Sequence, residues 1–94
     1  MTWPFQDDPS VAVFTSKGVV EGGDWIHLVS HDEEDGAWQF HNIYGAPEAE
    51  SDARIVSLHT MLIIDPGLIA LADLPLGWIA WRDTANGIWK RRTG

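Results

Sequence analysis

No cysteine occurs in the chain, which excludes disulfides, thiolate metal sites and thiol nucleophiles. No stretch reaches about 18 uninterrupted apolar residues, so no membrane-spanning helix is expected. The opening MTWPFQDDPS has neither a cationic start nor an apolar run, so no secretory signal is expected either. Bases are scarce: residues 1–53 hold eleven acids and one base, Lys17, a net of −10, while residues 54–94 carry +2. An acidic body repels phosphates, so nucleic acid is not an expected partner and a basic protein fits the field better. The reading is of a soluble, cytoplasmic protein without membrane contact.

The signatures of chemistry are missing as well. Ser16, Ser30, Ser51 and Ser57 stand in no nucleophile-elbow context, and no glycine-rich phosphate cradle is present. HDEED, residues 31–35, matches a calcium loop in charge alone, since the alternating ligand spacing and distal glutamate are absent. His27 and His31 lie four residues apart, and on a strand that separates them by about 13 Å, too far to share an ion. His41 adds at most a second ligand across a hairpin, and His59 falls in the helical middle. No metal, cofactor or catalytic residue is therefore expected.

What is present is one domain's worth of chain, residues 1–94, with residues 1–10 read as an N-terminal arm. At 94 residues roughly 60–70% of the unfolded surface can be buried, enough for a single core. VAVFTS (11–16) reads as a strand, and KGVVEGG as a turn that follows it. WIHLVSH (25–31) and AWQFHN (37–42) alternate in polarity and flank DEEDG, which predicts a hairpin with Gly36 at positive φ. On strict alternation Ile26 and Leu28 share one face, and Trp25, His27, Val29 and His31 the other. YGAPEAESD (44–52) reads as a surface loop and ARIVS (53–57) as a short strand. Ser57 offers an N-cap for LHTMLII; Asp65 and Pro66 open a second helix that Pro75 closes. GWIAWR (77–82) is a strand, and Asn86–Gly87 predicts the tight turn of a second hairpin returning through IWKRR. Arg82, Lys90, Arg91 and Arg92 are expected to converge across that hairpin. The expected fold is α+β: an antiparallel sheet of about five strands built from two hairpin units, with one or two short helices on one face.

Six tryptophans are the least ordinary feature of the composition. Helices cover one face of such a sheet, so one or two indoles are expected to remain partly exposed beside acidic loops, as in protein-binding hot spots. The expected partner-binding residues are Asp32, Glu33, Glu34 and Asp35 with Trp38 and Trp78.

The run DGAWQF, DARIVSL, DPGLIALADLPLGWIAWR and Trp89 resembles a family of small bacterial domains of unknown function. The matching positions are Asp35, Gly36, Trp38, Phe40, Asp65, Pro66, Leu74, Pro75, Gly77 and Arg82, within residues 11–90. Some members of that family are assigned as immunity proteins of polymorphic toxin systems, so the resemblance implies a non-enzymatic inhibitor. Three readings follow: an immunity-like module binding a basic partner; a ligand-binding or enzymatic domain with a cleft beside His27, His41 or Arg82; and a homodimeric subunit pairing through a sheet face or edge strand.

Overall fold

The computed structural model describes residues 3–42 and 52–94. Among these residues six strands form one mixed sheet. They are β1 (Ala12–Ser16), β2 (Ile26–His31), β3 (Trp38–Asn42), β4 (Ala53–Ser57), β5 (Trp78–Trp81) and β6 (Lys90–Thr93), in spatial order β4-β1-β3-β2-β5-β6. The α+β class matches the expectation, but the sheet does not match in detail. It has a sixth strand, and β1 runs parallel to β3, with Phe14 opposite Gln39. β3 and β5 flank β2 on its two sides, so β1 lies on the far side of β3 and accepts β4 as its other neighbour.

Local chemistry explains most elements. Ser57 caps α2 (Leu58–Ile64) by accepting the Thr60 N–H at 3.1 Å. Asp65 then accepts the Gly67 N–H at 2.9 Å and starts a 3-10 helix, Pro66–Leu71, with proline in its first turn. The segment read as a turn after β1 is instead a five-residue helix, α1 (Lys17–Glu21). Ser16 caps it through the Val19 N–H, and Val19 is buried in the core. Propensity alone does not hold so short a helix; that anchor does.

The core lies between one face of the sheet and these helices. Val13, Val29, Trp38, Phe40 and Ala80 from the strands meet Leu58, Met61, Leu68 and Leu71, and Phe5 from the first residues joins them. Phe5 packs edge-on against Trp38 at 5.3 Å between ring centroids. The strict alternation expected in β2 is broken by a bulge: Ile26 pairs with Asn42 but Leu28 pairs with His41. The extra residue turns both Ile26 and Val29 into the core, correcting the face assignment of this strand.

The two expected turns differ in outcome. Gly36 has φ +72°, as the first hairpin requires. Asn86–Gly87 forms no mirror-image turn, because neither residue has positive φ; the link from β5 to β6 is a longer loop closed by Gly87 N–H to Thr84 C=O at 3.0 Å. Trp89 therefore precedes β6 and does not pair in the ladder. Among the described residues no helix is long and apolar enough to cross a membrane. The loop expected over 44–52 lies, except for Asp52, outside the described residues.

Gly36→Val places a β-branched residue at positive φ and is expected to cost about 1–3 kcal/mol. A urea melt unchanged from the parent would refute the turn assignment.

Candidate binding surface

Helices shield one side of the sheet, and among the described residues no element covers the other. Its rows follow from the strand register. One row runs Ile55, Phe14, Gln39, Ser30, Ile79, Arg92, and the next includes His41, Leu28, Trp81 and Lys90. Ile55 is 65% and Phe14 43% exposed, values no core position approaches. Ile79 and Trp81 are partly exposed on this side, whereas Ala80 points inward and is fully buried. The alternation in GWIAWR was legible; which side would stay uncovered was not.

At one end of this face stands the acidic hairpin. Asp32 is fixed from two directions: its backbone N–H donates to Ala37 C=O at 2.8 Å, and its carboxylate accepts from Gln39 Nε2 at 2.7 Å. Asp35 accepts the Ala37 N–H at 2.9 Å and closes the turn. Glu33 and Glu34 are exposed. The four acids line a cleft of about 420 Å³ together with Trp78 and Ile79. Gly77 sits at its base with φ +81°, and a Cβ there would come within 3.2 Å of Glu33 Oε2. The absence of a side chain at Gly77 lets the glutamate lie against the backbone.

The expected binding residues thus divide. Asp32, Glu33, Glu34 and Asp35 line one cleft; Trp78 borders it but lies on the Ala80 side of β5, partly buried against the core, and not on the open face with Ile79. Trp38 does not belong to it: it is 2% exposed, donates its indole N–H to Asp7 Oδ2 at 2.6 Å, and stacks on His31 at 3.9 Å. An indole so enclosed packs the core and offers nothing to a partner. Trp81 is the exposed-face indole instead, with the Arg92 guanidinium 5.9 Å from its ring centre.

The histidines have separate duties. His27 donates from Nδ1 to the Arg82 carbonyl at 2.6 Å, and His31 from Nδ1 to the Leu74 carbonyl at 2.8 Å. Among the described residues no group of three or more His, Asp or Glu side chains is placed to hold a metal ion. His41 lies on the open face with its Nδ1 buried and without a hydrogen-bond partner. Burial pushes its pKa below the ordinary value, with the Asp32 charge opposing the shift in part.

The basic cluster expected at the last hairpin is dispersed. Arg82 is 3% exposed. It donates from Nε to Ile26 C=O at 2.8 Å and from Nη2 to Asp65, while the Trp89 ring lies 4.3 Å from its guanidinium carbon. Arg91 turns to Asp73 and to the Ala70 carbonyl, both at 3.1 Å. Lys90 pairs with Asp83 at 2.8 Å, and this hydrogen bond holds the Asp83 carboxyl below its usual range. A buried arginine is hard to foresee, because a lone Arg at a strand end ordinarily faces water.

Arg82→Met leaves Asp65 and the Ile26 carbonyl without their donor and is expected to cost about 3 kcal/mol; Lys90→Ala, at an exposed pair, should leave the melt unchanged. Equal melts for Arg82→Met and the parent would contradict this. The His41 shift has a definite sign. As pH falls through about 6.5, the unfolded chain takes a proton that the native ring resists, so stability is lost on acidification down to the lowered native value. Urea midpoints of the parent should therefore fall more than those of His41→Gln between about pH 7.5 and 5.5. Parallel slopes would show that the ring titrates as an exposed one.

No family model, no curated protein and no solved structure matches this chain. The resemblance drawn from DGAWQF and DPGLIALADLPLGWIAWR stands on those residues alone.

Proposed function

We propose that this protein is a non-enzymatic binding module whose open sheet face and acidic hairpin receive a basic protein partner, in the manner of an immunity-like inhibitor. One observation carries the reading: Asp32, Glu33, Glu34 and Asp35 line a cleft together with Ile79, whose row continues across the uncovered face of the sheet. Charge and apolar surface are adjacent. That combination gives fast electrostatic capture together with area to bury once contact is made.

The remaining apolar exposure favours this side less. Ile63, Ile69 and Ile88 are also exposed, but they belong to the helical layer and the loop after β5, away from the hairpin. Across the open face the charge changes sign, from the acids of the hairpin to Lys90 and Arg92 on β6. Such a gradient sets the orientation of a partner as well as its sign.

The triple variant Asp32→Ser, Glu33→Ser, Glu34→Ser tests this directly. A partner captured from native lysate at low salt is expected to be lost with the variant and with added salt, while the variant keeps a cooperative melt. Capture that is indifferent to both changes, or no capture at low salt, would overturn the reading.

A further inference from the structure

The two edges of the sheet are built differently. At one edge β6 reads Lys90-Arg91-Arg92-Thr93, three long cationic side chains, two of them held by Asp83 and Asp73, that another strand could meet only by desolvating them. At the other, β4 reads Ala53-Arg54-Ile55-Val56-Ser57, with no proline, one charge, and unbroken pairing to β1. Its charge is engaged, since Arg54 donates to Glu21 at 2.8 Å. Among the described residues no strand lies beyond β4.

The backbone of β4 shows what it offers. Leu58 N–H donates to Val11 C=O at 2.9 Å. In the register Val13 opposite Val56 and Thr15 opposite Arg54, the hydrogen-bonded pairs therefore recur at residues 58, 56 and 54. The N–H and C=O of Ile55 and the N–H groups of Ala53 and Ser57 point away from β1, while the outward Ala53 C=O accepts from Arg54 Nη1 at 2.9 Å. On the side-chain level Ile55 is 65% exposed and stands opposite the 43% exposed Phe14. Among the described residues, the part of the edge whose backbone groups at Ile55 face outward is thus also the most exposed apolar part of the sheet.

We infer that β4 pairs antiparallel with β4 of a second copy of this chain, about a two-fold axis at Ile55. In that register the Ile55 residues exchange backbone hydrogen bonds with each other. Ala53 faces the partner's Ser57, and Arg54 faces the partner's Val56, so the one charge in the strand never opposes itself. A second copy suits this edge because the segment is complementary to itself in the antiparallel sense. The apolar pair Phe14–Ile55 continues into its symmetry mate, which lengthens the open face. With β6 closed by its cations, the association ends at two copies and does not propagate into a filament. A five-residue strand buries less than the roughly 1,200 Å² of a stable interface, so dissociation belongs in the range of about 10–100 µM.

Sedimentation velocity of the full chain from about 1 to 500 µM should show a 10.5 kDa species giving way to twice that mass, with the Ile55 amide gaining exchange protection over the same range. Ile55→Lys, at an exposed position, and Ile55→Pro, which removes only an outward N–H, should each raise the midpoint at least tenfold and keep the parent's circular dichroism. A chain that stays monomeric throughout, or an Ile55→Lys variant that dimerises with the parent's midpoint, overturns the pairing. Dimers lost in Trp81→Lys but retained in Ile55→Lys would move the contact to the open face and overturn it equally.

Discussion

The contact between Arg82 and Asp65 joins the two layers of this fold. Arg82 directly follows β5, and through its guanidinium it reaches the β2 carbonyl just before the bulge and the carboxylate that caps the 3-10 helix. Trp89 closes over it and ties itself to the Gly67 carbonyl at 3.3 Å. An arginine is costly to bury unless its donors find acceptors and its flat faces find aromatic cover. Here both conditions are met, and the same cation fixes strand, helix and loop. The bulge beside it is what allows Ile26 and Val29 to enter the core together.

Because the helices, the first described residues and Trp89 are all drawn to that side, no described element covers the opposite face. Its outer rows carry Phe14, Leu28, Ile55, Ile79 and Trp81 among polar neighbours. An exposed apolar row on a small acidic domain is a cost in solubility unless it serves contact. The acids clustered at one end of that row, where Gly77 lets Glu33 rest against the backbone, give it direction.

Much of this was legible in the chain, and the misses have physical causes. Ser57, Asp65 and Pro66 announced their helices because capping is a local property. Gly36 announced its hairpin because positive φ is as well. The bulge at His27 was hidden, since alternation in WIHLVSH is unbroken in sequence and breaks where His27 bonds the distant Arg82 backbone. Asn86–Gly87 suggested a tight turn, but Trp89 is held on Arg82 and the loop must be longer to let it reach there. The helix after β1 has glycine at its second position and immediately beyond its end; it exists because Val19 is buried, a tertiary effect no local rule contains. Trp38 looked available as an indole in a polar setting, yet Asp7 and Phe5, far away in sequence, enclose it.

The place of β1 has a consequence for how the chain is made. This strand leaves the ribosome early, yet both of its neighbours, β3 and β4, are synthesised after it, and the nearer of them is parallel and so beyond the reach of a simple reversal. Until residue 57 has emerged, Val13 has no complete lodging. The hairpin of β2 and β3 can zip by itself, and the N-terminal strand must wait for it. The first strand of the sheet is therefore lodged only by strands made after it, and any delay there leaves a greasy ribbon open to the wrong neighbour.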